Sequence, residues 1–317
     1  MQEKYDNQLK DLGNEFIGIK LLNSEETDIF KIQYENGQII PEFLIRLQIM
    51  PDVFIEDEDR LIVNQFAINK RTKQIIQTFE KQPSALCLIN SNHLVLGFRE
   101  RSQVSYYIYD GEKYNKECNF QVIGGSYGYN VLKVCKNPFM EYTDLKNITL
   151  FTLTAHSLKP TLFRICINFI DQKIVSKQKL CFKTLDVKFL DDTHLVSIER
   201  FEFCLLNYHT GEVLSSVDIS SYQHIIIPTN FNLKFCPYLL NFDNKTQFIN
   251  IIDIMNSGYQ GKYNFAQERI MQIKVLQNYE GLKFNKAMNT GEDDDSIILL
   301  GIDEDGLLKT YRLTIQF

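Results

Sequence analysis

The stretch LDDTHLVSIERFEFCLLNYHTGEVL, residues 190–214, constrains the fold of this chain more than any other feature. Leu185 to Leu190 is an alternating apolar run, Asp191-Asp192-Thr193 is a turn, and His194 to Arg200 is a second run. Phe201 to Tyr208 forms a third, His209-Thr210-Gly211-Glu212 turns the chain again, and a fourth run opens at Val213. Runs of this length, separated by turns every eight to twelve residues, predict a meander of four antiparallel strands.

The same order of parts recurs. VFIEDEDRLIV (53–63) and LCLINSNHLVL (86–96) share with VKFLDDTHLVS (187–197) an apolar run, a polar turn, a basic or His residue, and a Leu that opens the next strand (Arg60-Leu61, His93-Leu94, His194-Leu195). The third run and its Gly turn also repeat, VSYYIYDGEKY (104–114) matching FEFCLLNYHTGEV (201–213). Units of this kind fall at 14–42, 43–82, 83–124, 125–182, 183–222, 223–265 and 266–317. Spread over 317 residues, seven units average about 45 each, the length of a four-stranded propeller blade.

The pattern resembles the WD-repeat family of β-propellers over nearly the whole chain. The Trp-Asp dipeptide is missing, since the sequence contains no Trp. Its nearest analogues are Asn207-Tyr208 and Tyr109-Asp110, at the end of the third strand. The expectation is therefore an all-β fold: one β-propeller domain over residues 1–317, with seven four-stranded blades and residues 1–13 as a short N-terminal extension, either a helix or a frayed tail. Prolines at unit boundaries (Pro41, Pro51, Pro83, Pro138, Pro228) agree, because a missing N–H is harmless there.

Composition narrows the function classes. A hydrophobic fraction of 44% and a charged fraction of 23% are those of an ordinary folded protein. The net charge of −6 argues against a general phosphate-binding surface, and so against nucleic acid as a partner. With no apolar run of signal-peptide or membrane-spanning length, the expected place is the cytoplasm or nucleus. The seven cysteines are scattered without a C-x-x-C pair and read as reduced core residues. The sequons at Asn147 and Asn244 then have no role.

No residue set announces a chemistry. The clusters Glu56-Asp57-Glu58-Asp59 and Glu292-Asp293-Asp294-Asp295 read as solvated turns, not as acid and base pairs. Asp303-Glu304-Asp305-Gly306 lacks the later ligands of a calcium loop and reads as a β-turn. The glycines of VIGGSYGYN (122–130) lack the Lys-Ser/Thr of a phosphate loop and read as a connection between blades. His93 and His194 share one place in the repeat and read as structural, while His156, His209 and His224 stand alone. Phe98-Arg99-Glu100-Arg101 distantly resembles the Phe-Arg-Arg-Gly motif of phosphoinositide-binding propellers, but Glu100 replaces the second Arg and the Gly is missing.

These observations lead to a non-enzymatic interaction scaffold that binds other proteins through its loop faces, with no catalytic residues, metal or cofactor. Arg99, Arg101, Glu199 and Arg200, at turns between second and third strands, are the candidate partner-binding residues. Two alternatives are a propeller that binds anionic lipid or nucleic acid through a local basic patch, and a propeller enzyme with its site in the central channel. The enzyme needs several acidic or His side chains converging near the axis from the first strands of different blades. Those strands, DVFI, ALCLI and DVKFL, read as mostly apolar.

Overall fold

The computed structural model describes residues 5–13, 16–35, 38–98, 102–123, 129–140, 142, 144–156, 159–189, 191–199, 202–218, 225–226, 238–243, 248–253, 256–258, 262–264, 269–274, 283–289, 296–302 and 308–314. Among them there is no helix, and the strands form antiparallel sheets arranged as propeller blades. The chain divides into two compact units, Asp52–Asp218 and Met1–Pro51 with Ile219–Phe317.

The unit Asp52–Asp218 holds four blades, each a meander of four consecutive strands. The first contains β5 (Phe54–Glu56), β6 (Arg60–Val63), β7 (Phe66–Asn69) and β8 (Ile75–Thr78). The second contains β9 (Ala85–Asn90), β10 (His93–Gly97), β11 (Gln103–Tyr109) and β12 (Tyr114–Gln121). The third contains β13 (Tyr129–Lys136), β14 (Ile148–His156), β15 (Lys159–Asn168) and β16 (Lys173–Phe182). The fourth contains β17 (Thr184–Phe189), β18 (His194–Glu199), β19 (Glu202–Asn207) and β20 (Glu212–Asp218).

The central strands are apolar on both faces because each face packs against a different neighbour. On β10, Leu94 and Leu96 join Ile62, Ala67 and Tyr114 in one core, while Val95 joins Val104, Tyr106, Val131 and Ile165 in the next. On β14, Ile148 and Leu150 face that second core, and Phe151 and Leu153 face a third with Val187, Leu195 and Leu206. At Gly97 the backbone of the second blade comes so close to the third that an added Cβ would stand 2.5 Å from Val131 Cγ1 and 3.1 Å from Ala85 Cβ.

The hairpins of these blades share one device. In the first hairpin of each blade, a side-chain oxygen of Asp57, Asn90, Asn137 or Asp191 accepts backbone N–H groups two or three residues on. In the third hairpin, Asn69, Asp110, Asn168 and Asn207 do the same. An Asx side chain that bonds its own turn replaces backbone pairing where the chain reverses. Gly111 (φ 107°) and Gly211 (φ 79°) supply the left-handed backbone that two of these turns need. The repeat read from the sequence is thus a repeat of Asx turns.

The other unit contains a fifth four-strand meander, β1 (Tyr5–Gly13), β2 (Phe16–Leu21), β3 (Thr27–Glu35) and β4 (Gln38–Leu47). Residues 5–13 therefore pair as a strand with β2, not as a helix or tail. Further on, β21 (Ile225–Ile226), β22 (Tyr238–Asp243), β23 (Phe248–Asp253) and β26 (Arg269–Lys274) form a sheet whose last strand follows an inserted hairpin, β24 (Asn256–Gly258) and β25 (Lys262–Asn264). The final sheet has three strands, β27 (Lys283–Asn289), β28 (Ser296–Ile302) and β29 (Leu308–Thr314).

The expectation of seven regular four-stranded blades is corrected: among the described residues, five sheets are four-strand meanders, one takes its last strand from beyond an inserted hairpin, and one shows three strands. Turn spacing counts strands but does not reveal that one hairpin leaves its sheet. The GGSYG glycines and the turns at 292–295 and 303–306 lie outside the described residues.

Candidate functional site

The inner strands β13 and β17 depart from regular pairing at one matching place. In β13 the register passes from Val131 opposite Thr154 to Lys133 opposite Leu153, so Leu132 is an extra residue. In β17 it passes from Thr184 opposite Glu199 to Asp186 opposite Ile198, so Leu185 is extra. A bulge of this kind re-aims the side chains beside it. Here both leucines are left exposed, at 42% and 55%, and the next residue of each strand is charged.

Lys133 Nζ and Asp186 Oδ1 form an ion pair from strand to strand, each side chain 38% exposed. The same Oδ1 accepts the Val187 N–H at 2.7 Å. Lys188 stands two residues beyond Asp186, and Cys135 two beyond Lys133. The Cys135 thiol feels the charges of Lys133, Asp186 and Lys188. Two ammonium groups and one carboxylate therefore act on one half-buried thiol.

Burial pushes Cys135 up to about 11 and the nearby Cys87, aided by Cys135, up to about 12. Both stay protonated at neutral pH, which removes them as nucleophiles. What remains is a carboxylate held beside an ammonium at a partly open strand edge. Such a pair can take a proton from a water or hydroxyl and hold an oxygen that gains negative charge. Among the described residues no group of three His, Cys, Asp or Glu side chains could hold a metal ion.

The other titratable groups are structural. His93 stacks on Tyr106 at 5.7 Å, its Nδ1 lies 2.5 Å from the Tyr106 hydroxyl, and burial lowers its pKa. His194 Nδ1 lies 2.9 Å from Asp191 Oδ2. Burial alone would raise Asp191, but hydrogen bonds from His194 and from the Thr193 and His194 N–H groups outweigh it and lower the pKa. The Glu56–Asp59 cluster is only half a solvated turn: Glu58 and Asp59 are exposed, but Asp57 is buried in an ion pair with Arg60, and Glu56 pairs with Lys70.

Of the candidate partner-binding residues, Arg99, Arg101 and Arg200 lie outside the described residues. Glu199 ends β18, at the turn from second to third strand, and burial and then Glu202 raise its pKa. The sequence does not mark the inner-strand pair, because DVKFL reads as mostly apolar; Lys133 and the spacing Asp186-x-Lys188 are its only signals.

No family model matches the chain, and no curated protein matches its sequence. Among solved structures, it is similar in fold to a Bacteroides fragilis protein provisionally assigned as a 6-phosphogluconolactonase. The TM-score is 0.50 at 12% identity, with 93% of this chain and 92% of that one covered. The resemblance to WD-repeat proteins thus extends to the propeller arrangement. The expectation of a non-enzymatic scaffold is corrected: it rested on the fold, and the fold is shared with a protein assigned as an enzyme.

Proposed function

We propose that this chain is a propeller enzyme that hydrolyses a small, negatively charged ester or lactone at the inner strands β13 and β17. The observation that carries this reading is the Lys133–Asp186 pair beside the two bulges. Hydrolysis of a ring ester needs a group to take the proton of the attacking water and a positive charge near the carbonyl oxygen. Asp186 and Lys133 have those chemistries. Lys188 adds a second cation, which suits an anionic substrate. The assignment of the Bacteroides fragilis protein names a substrate of this class, a phosphorylated sugar lactone.

The test is a hydrolysis assay of the purified full chain with 6-phosphogluconolactone and with its unphosphorylated counterpart. Turnover of the phosphorylated lactone is expected. Asp186→Asn should lower kcat by about 10²- to 10⁴-fold, while Lys188→Ala should mainly raise KM. No turnover of either lactone by the unmodified protein, or a wild-type rate in the Asp186→Asn variant, would sink the reading.

A further inference from the structure

Arg60 opens β6 at the place in the repeat that His93 and His194 hold in their blades, and it has far more to satisfy. Its side chain and that of Asp57 are each 6% exposed, with Nη2 2.6 Å from Asp57 Oδ2. The guanidinium lies 3.7 Å from the ring centroid of Tyr109, and Nη2 donates to the Ser91 carbonyl of the next blade. That leaves Arg60 Nε and Nη1 buried without a hydrogen-bond partner. Asp57 Oδ2, though ion-paired with Nη2, accepts no hydrogen bond either.

The fourth buried group without a partner is the Tyr114 hydroxyl. Tyr114 is fixed from behind: its N–H donates to Gln77 Oε1 at 2.6 Å, and Gln77 Nε2 donates to its carbonyl at 2.8 Å. The Arg60 guanidinium lies 5.2 Å from the Tyr114 ring centroid, and the phenol, raised by burial, is lowered by Arg60 and raised by Asp57. A buried polar group without a hydrogen bond is costly, and native proteins keep few of them.

The chemistry of this set selects its ligand. The guanidinium can only donate, the phenol can donate, and the carboxylate oxygen can only accept. A simple anion could take the first two but would face Asp57 with nothing to donate. A metal cation would face the guanidinium. A molecule that both accepts and donates, and that fits a space closed to solvent, is required.

We propose that Arg60, Tyr114 and Asp57 form an internal water-binding site between the blades β5–β8 and β9–β12. One water accepts from Arg60 and from the Tyr114 hydroxyl and donates to Asp57 Oδ2, three hydrogen bonds being the usual complement of a buried water. The water then belongs to the blade interface as much as the apolar residues around it do.

A high-resolution crystal structure of the full chain tests this directly. A peak within hydrogen-bonding distance of Arg60, Tyr114 Oη and Asp57 Oδ2, with no anomalous signal there after a bromide soak, is expected. An anomalous peak, no peak, or a peak reaching fewer than two of the three groups overturns it. A double-mutant cycle is the second measure. Asp57→Asn keeps the Oδ1 that holds the turn, and Tyr114→Phe removes only the hydroxyl. These two groups make no hydrogen bond to each other, so a bridge predicts that the unfolding constant of the double variant departs from the product of the single effects by more than about twofold. Additive effects count against the water.

Discussion

Asp110 stands at the end of a third strand, where a WD repeat would carry its Asp, but its work here is local. It accepts the Glu112 and Lys113 N–H groups at 2.9 Å each and Asn115 Nδ2 at 2.6 Å. The bonds from Lys113, Glu112 and Asn115 lower its pKa from 3.8 to about 2. A depressed carboxylate contributes stability above its unfolded pKa and loses it as pH falls through the folded one. Asp110→Asn keeps the turn acceptor but does not titrate. Urea midpoints of wild type and Asp110→Asn should therefore differ most above pH 4 and converge as pH falls to about 2. At the inner strands, Lys133→Met should change unfolding free energy by no more than about 1 kcal/mol, because exposed ion pairs contribute little. Loss of turnover in that variant, with an unchanged denaturation curve, would separate function from folding. Both residues stood in the sequence, yet only Asp110 was legible. A turn residue acts within a few positions of itself, whereas the aim of Lys133 and Asp186 depends on one extra residue in each strand, which alternation does not show.

Hairpins were the most legible elements. Those of β5–β6, β9–β10 and β17–β18 fall where the polar turns of the repeat placed them, since an Asp or Asn at the end of an apolar run carries the turn's own acceptor. Packing between blades was not legible. Nothing local marks Gly97 as a contact with Val131. Gly97→Ala should destabilise by about 1–3 kcal/mol as the third blade is pushed away, measured by chemical denaturation, and Gly97→Ala with Val131→Ala should recover part of the loss. Between the third and fourth blades, Tyr208 is one of the links: Asn137 Nδ2 donates to its hydroxyl at 3.0 Å, and that hydroxyl donates to the Asp192 carbonyl. Tyr208→Phe removes both bonds at unchanged volume and should cost about 1–3 kcal/mol. A loss much smaller than that would mean the Tyr208 hydroxyl is dispensable to the contact between the two blades. The blade count failed at this scale too, because a strand that pairs into a small hairpin and one that pairs into a blade share the same pattern.

For the molecule as a whole, thiol reactivity gives a readout of integrity. Cys87 is buried and Cys135 half-buried, and burial raises both, to about 12 and about 11. Neither should react with a thiol reagent at pH 8 on the time scale of a free thiol in solution, and both should react fully in denaturant. Prompt labelling of Cys87 in the native protein would mean that the core between the second and third blades opens readily, and of Cys135 that the core between the third and fourth does. The meanders have a consequence of another kind. In each of five sheets, every strand pairs only with its immediate neighbours in sequence. Most backbone pairing therefore spans short loops, and closing a short loop is entropically cheap and fast. A chain emerging from the ribosome can complete each of these sheets from residues already outside the tunnel, without waiting for the carboxyl end. Synthesis itself then sets the order of assembly, blade by blade from the amino terminus.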